Sequence, residues 1–187
     1  FVEGECENEW PLMDNEGLGL GTLYLWAKED NIEKYKKLSE QNLRKTMLDS
    51  LSLTPNDIGK VIHHLYKQEF VCSNSKKNVW YQFKNHRWNE IDDAIDLRKK
   101  LSDDVVTQYE KLNTYMAKKI ETTNDSAEKD VYMAKQKIIL RIISSLRTTS
   151  FKKNVIHECN ELFHDAKFED KLDTNVNLLG FENGVYD

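Results

Sequence analysis

Proline is nearly absent, with two in 187 residues. Proline interrupts helix interiors, so long helices face few internal breaks. Cysteine is scarce too: Cys6, Cys72 and Cys159 are odd in number and far apart, and no Cys-x-x-Cys occurs. That argues against a disulfide framework and suits a reducing compartment. Long apolar runs are missing. The most apolar stretch, Ile138–Leu146, holds Arg141 and two serines and is too short to span a bilayer. No signal peptide is recognisable. An excess of positive charge is also missing, since the net charge is −5. This argues against polyanion binding over the whole surface, but it leaves room for a local basic face.

Catalytic signatures are absent as well. Gly-x-Ser-x-Gly, Walker A and His-Glu-x-x-His do not occur. The glycines of GLGLG at 17–21 follow no strand and precede no Gly-Lys-Ser/Thr, so they form no phosphate loop. The carboxylate pairs Glu29-Asp30, Asp92-Asp93 and Asp103-Asp104 are adjacent in sequence. Adjacent residues on a helix do not converge, so these pairs read as soluble surface. His157, Cys159 and His164 form the nearest metal-like grouping. Cys159 falls in an apolar stripe, and one helix supplies too few ligands for a zinc site. His63-His64 read as one partly buried and one solvent-facing residue.

What is present is mainly helical patterning. Residues 1–22 form an acidic arm, with Glu3, Glu5, Glu7 and Glu9 alternating. The spacing predicts helix over 22–49, where Leu23, Trp26, Ile32, Tyr35 and Leu38 share a side and Asp30-Asn31 marks a break. Thr54 reads as an N-cap, Pro55 as the first helical position and Asp57 as a first-turn anion. Ile58, Val61, Ile62 and Leu65 follow at helical spacing. From 70 to 91 the period changes. Phe70–Cys72, Val79–Phe83 and the chain from Trp88 read as short antiparallel strands, with a polar loop at Ser73–Asn78 and a tight turn at Lys84–Arg87.

A long helix is predicted over 91–121, carrying Ile91, Ile95, Leu101, Val105, Leu112, Met116 and Ile120 over roughly 45 Å. Another follows over 127–148, apolar on most sides between Ile138 and Ile143 and so central to the core. Ser150 caps a last helix with a stripe of Phe151, Val155, Cys159, Leu162 and Phe163. Asn183-Gly184 is a strong turn dipeptide before a strand beginning at Val185-Tyr186. The fold class is therefore mainly α: a multi-helix bundle with a small antiparallel β-hairpin or three-stranded element at about 70–91.

Three groups of cations are candidate DNA contacts: Lys76 and Lys77 in one loop, Lys84 and Arg87 in the next turn, and Lys152 and Lys153 at the start of the last helix. Trp80, Tyr81 and Trp88 lie between the first two groups. Basic loops beside aromatics grip phosphates and stack on bases. The same pattern also describes a small sheet with core aromatics and solvated turns.

Three stretches taken together resemble a known family: GTLYLWAKEDNIEKYKKL (21–38), VWYQFKNHRWNEI (79–91) and LLGFENGVYD (178–187). They are similar to the central helical region of the primase–helicases of large DNA viruses, of poxvirus type. The resemblance implies that 1–22 is an arm or the tail of a primase-associated segment. It implies that 23–187 is a helical pre-helicase connector, a piece of a longer chain that ends at the entry to an AAA+ helicase domain of superfamily 3. ATP and magnesium would belong to that helicase domain, and no catalytic residue carries over to this chain. The implied function is a non-catalytic collar that assists DNA binding, assembly into a ring and coupling of primase to helicase. Partners would be single-stranded or forked DNA, further copies and other replication proteins, with no membrane. The location would be the host cytoplasm or nucleus. A protein-binding adaptor that never touches DNA, using the exposed faces of the 91–121 helix, and an inert spacer remain open alternatives.

Overall fold

The computed structural model describes residues 20–172, 174, 179–181 and 184–186. Helices dominate, and they accompany a three-stranded antiparallel sheet, as the sequence predicts. The chain divides into two compact units, 1–41 and 42–187.

The first unit contains α1 (Leu20–Asp30) and the start of α2 (Ile32–Asp49). The predicted break is present. Asn31 accepts the Lys34 N–H on its side-chain oxygen and the Tyr35 N–H on its carbonyl, both at 2.9 Å, and so caps α2. The shared apolar side is not a buried stripe. Trp26 and Tyr35 are half-buried, whereas Ile32 and Leu38 are exposed. Helix α1 begins at Leu20, and the acidic stretch before it lies outside the described residues.

In the second unit a short 3-10 turn, Ser50–Ser52, leads to α3 (Pro55–Tyr66). Its start follows the predicted chemistry. Thr54 Oγ1 accepts the Asp57 N–H at 3.2 Å, and Pro55 opens the helix. The Asp57 carboxylate receives Lys60 at 2.7 Å, Ser52 at 2.5 Å and Thr54 at 3.0 Å. Lys60 foremost, then the two hydroxyls, pull its pKa down to about 2.

The sheet is a meander of β1 (Phe70–Asn74), β2 (Val79–Lys84) and β3 (Arg87–Asp92). Pairing runs Cys72 to Trp80 and Trp80 to Ile91, with a bulge between Cys72 and Asn74. Asn85 and His86 form a two-residue hairpin turn with φ of 54° and 58°. Two positive φ values give the type I′ geometry whose twist matches the flanking strands. The free edge of β1 is covered: Cys72 N–H donates to Phe163 O at 2.9 Å, and Asp165 N–H donates to Cys72 O at 3.0 Å.

Helix α4 (Ile95–Lys100) continues through a π-type turn, Leu101–Val105, into α5 (Val106–Thr122). The sequence pattern starts this helix at Ile91, which belongs instead to β3. Asp93 and Ala94 both take left-handed φ of 49° and end the strand before the helix starts. Ile95 is exposed, and Leu97 takes the buried place expected for it. Leu97, Leu101, Val105 and Tyr109 are all fully buried at gaps of four. On an ideal helix such gaps drift by about 40° each. The wider π turn absorbs that drift and keeps the stripe on the core.

Helix α6 (Ser126–Leu146) packs back on α5, and α7 (Thr149–Leu162) packs on α3. Helix α6 is less central than predicted: Ile139, Ile142, Ile143 and Leu146 face the core, but Leu140 is exposed. The α7 stripe forms as predicted, with Val155, Cys159 and Phe163 buried. Its N-cap, however, is Thr148, and Ser150 falls in the first turn. One polar pair is buried in the core. Tyr109 OH donates to Ser50 Oγ at 2.7 Å, and Ser50 donates to Met47 O at 2.6 Å. Both hydroxyls are thereby satisfied.

The strand predicted at Val185-Tyr186 is present as β5 (Gly184–Tyr186). It pairs antiparallel with β4 (Leu179–Phe181), Phe181 opposite Gly184. Asn183, the predicted turn residue, lies outside the described residues.

Candidate nucleic-acid interface

The six candidate cations separate into different places. Lys76 and Lys77 occupy the β1–β2 turn, and Lys84 and Arg87 face each other across the β2–β3 hairpin. An antiparallel meander puts these turns at opposite ends of the sheet. Six residues of β2 at about 3.4 Å each hold them roughly 17 Å apart. Lys152 turns away toward the π segment, giving its ammonium to Ser102 Oγ at 2.8 Å. Lys153 joins the first end. It lines a cleft of about 350 Å³ with Asn78, Asp93, Arg98, Ile156, His157 and Asn160. Asn78 closes the turn that carries Lys76 and Lys77, so that turn borders the cleft.

Local structure explains the cleft. Lys153, Ile156, His157 and Asn160 recur at three- and four-residue spacing on one face of α7. The paired left-handed residues Asp93 and Ala94 turn the chain at the foot of β3. They bring Asp93 against Asn78 and Arg98, which hydrogen-bond to its two carboxylate oxygens. Arg98 also donates to the Asp93 carbonyl at 2.9 Å. The Arg98 hydrogen bond, aided by Asn78 and the charge of Lys153, outweighs burial and holds Asp93 below the usual carboxylate range. The Arg98 Nε is buried with no hydrogen-bond partner.

The aromatics divide by the strand's two-residue period. Trp80 is fully buried, and its indole N–H donates to Asn78 Oδ1 at 3.1 Å and to Asn160 Oδ1 at 3.2 Å. It is a core residue that positions two walls of the cleft. Tyr81, Phe83 and Trp88 lie on the opposite face with Phe168, at ring separations of 4.9–5.3 Å. Phe83 is the exposed member. Glu90 stands across from Tyr81, and Glu169 accepts the Tyr81 hydroxyl at 3.5 Å. Burial first, then these two carboxylates, raises the Tyr81 pKa. That negative charge makes this face a poorer neighbour for phosphate than the cleft.

The metal-like grouping is dispersed. His157 lines the cleft, Cys159 is buried, and His164 Nδ1 lies 3.1 Å from the Cys72 carbonyl. Burial pushes the Cys72 thiol up to about 11 and the Cys159 thiol to about 12. Both thiols stay protonated near neutrality, and so are poor nucleophiles. His63 is half-buried with its ring 4.9 Å from that of Phe163, and His64 is exposed, as predicted. Among the described residues no cluster of three His, Cys, Asp or Glu could hold a metal ion. Among them, too, no helix is long and apolar enough to cross a membrane.

Sequence reasoning missed Arg98, Asn78, Asp93 and Asn160. Arg98 sat in view within the basic run Arg98-Lys99-Lys100. Nothing local distinguished it from its two neighbours, which pair with Asp96 and with Glu69 and Asp104.

The structure defines a helical domain with a donor-rich polar cleft at one end of a small sheet. The chain belongs to the D5 N terminal like family, whose model matches residues 59–187. It is 31% identical over its full length to a protein of Acanthamoeba polyphaga mimivirus named "Putative helicase", covering 20% of that protein. A "Putative helicase" of Invertebrate iridescent virus 3 is 26% identical over 90% of the chain and 21% of its own length. A "Putative primase" of African swine fever virus is 24% identical over 88% of the chain and 19% of its own length. The chain thus spans about a fifth of the length of the curated relatives it matches. It is a domain related to the replicative primase–helicases of large DNA viruses, as the three sequence stretches indicated.

Proposed function

We propose that this domain is a non-catalytic connector of a viral replicative primase–helicase, which contacts DNA and couples the primase to an ATP-driven helicase ring. The observation that carries the reading is a cleft lined by Lys153 and Arg98 at the end of the sheet whose β1–β2 turn carries Lys76 and Lys77. In this reading the chemistry belongs to a neighbouring AAA+ helicase domain of superfamily 3, where ATP and magnesium would bind. No residue of this chain is assigned to those groups in this reading. The domain would act mechanically, as a collar that keeps the unwound strand near both activities and helps copies assemble.

Fluorescence anisotropy with single-stranded and forked oligonucleotides tests the reading. Binding is expected at low salt and weakens as salt rises, because phosphate contacts release counterions. Lys76→Glu with Lys77→Glu reduces it strongly, whereas Lys84→Glu with Arg87→Glu at the far end has a smaller effect. Absence of binding at low salt contradicts the reading. The net charge of −5 favours a second one, an adaptor that binds replication proteins or its own copies without DNA. Concentration-dependent light scattering together with a flat DNA titration would support that alternative.

A further inference from the structure

We propose that the cleft between the β1–β2 turn, the start of α4 and the middle of α7 binds a phosphate group of a single-stranded DNA backbone. This rests on the DNA-contact reading above and names the atoms that hold the strand.

A count of donors and acceptors carries the inference. Among the described residues, Asp93 is the one carboxylate in the cleft wall, and both its oxygens are engaged, one by Asn78 and one by Arg98. Asn78 and Asn160 have amide oxygens, but both accept the Trp80 indole N–H. Each of these side-chain oxygens therefore already accepts one hydrogen bond and keeps only its second lone pair. Donors remain: the Asn160 amide NH2, the Lys153 ammonium and a ring N–H of His157. The Arg98 Nε–H is buried with no partner and out of a ligand's reach, so Arg98 contributes its charge to the cleft rather than this hydrogen bond. A site with surplus donors suits a ligand made mostly of acceptor oxygens. The charges agree. Arg98 and Lys153 carry two positive charges against one negative charge on Asp93, so a wall already neutralised at its carboxylate keeps a net positive charge for an anion. A phosphate oxygen meets both demands, and charge-assisted bonds to it are the strong kind.

The volume of about 350 Å³ leaves room for a phosphate with part of its sugar. A strand is favoured over a free anion by what lies outside. Lys76 and Lys77 are exposed in the turn that ends at Asn78, two and one residues before this wall of the cleft. Successive phosphates of one strand would meet them in order.

Trp80 supplies a readout independent of affinity. Its indole N–H touches both amides of the cleft, and the chain has only four tryptophans to resolve. In 15N-correlated spectra, with Trp80→Phe used to assign its peak, oligothymidylate is expected to shift the Trp80 indole signal. Inorganic phosphate shifts it at higher concentration, and chloride at matched ionic strength does not. Lys153→Ala, at an exposed position, is expected to weaken the oligothymidylate response about tenfold, while the other indole peaks keep their places. If the oligonucleotide binds by anisotropy but the Trp80 peak stays still, the cleft assignment is overturned and the DNA reading stands. If phosphate moves the peak but oligothymidylate does not, the nucleic-acid occupant is overturned. A peak that answers to neither overturns the site altogether.

Discussion

His86 sits at a left-handed φ of 58° in the type I′ turn, where an L side chain crowds the backbone at a cost of roughly 1–2 kcal/mol. Glycine adopts that conformation freely but has more freedom to lose on folding. His86→Gly is therefore expected to raise the unfolding free energy by about 0.5–1 kcal/mol, read from chemical denaturation at pH 7; a loss of stability would contradict the turn geometry. Asp57 makes a pH-dependent contribution. Its folded pKa of about 2 lies below the usual carboxylate value. A depressed acid stabilises the folded state fully above its unfolded pKa, near 4, and progressively less as pH falls toward 2. Asp57→Asn should lower stability at pH 7 and flatten the acid limb between about pH 4 and 2. Denaturation midpoints across that range check it, and an unchanged acid limb would refute the network. Such residues were legible in the sequence because caps and turns are local chemistry. Thr54, Pro55 and Asp57 behave as their spacing requires. The Asp93-Ala94 turn was not legible: aspartate tolerates a left-handed backbone, but alanine gives no sign of one.

Among the elements, the approach of α3 to α7 is set by Gly59. A Cβ there would stand 3.0 Å from Leu162 Cδ1 and 3.8 Å from Cys159 Sγ. Gly59→Ala asks only the flexible end of Leu162 to move slightly. Gly59→Val adds two methyls at the same contact, and overpacking of this kind costs about 1–3 kcal/mol. Urea midpoints of the two variants should differ accordingly, with alanine close to the parent; equal midpoints would mean the helices are not held at this distance. Element type was readable from periodicity throughout, and the sheet at 70–91 was read nearly to its residues. The boundaries that failed did so for tertiary reasons. Ile91 fits a helical spacing in sequence, but it pairs with Trp80 in the sheet. The π turn answers a core demand that no local propensity encodes.

On the scale of the whole molecule, the basic residues were visible in the sequence and their grouping was not. Lys76 and Lys84 are eight residues apart in the chain, yet they belong to opposite ends of the sheet, whereas Asn78 and Lys153 lie 75 residues apart and line one cleft. Strand pairing and helix docking decide this, and neither can be counted off a sequence. The most direct test of the central claim is the salt dependence of single-stranded DNA binding, with the parent protein compared against the Lys76→Glu, Lys77→Glu, Lys153→Glu variant. Each phosphate contact contributes about −0.7 to the slope of log K against log salt for single strands. The account predicts that the parent's slope is the steeper by about 2, with the variant binding weakly at all salts. Equal slopes and equal affinities would contradict it.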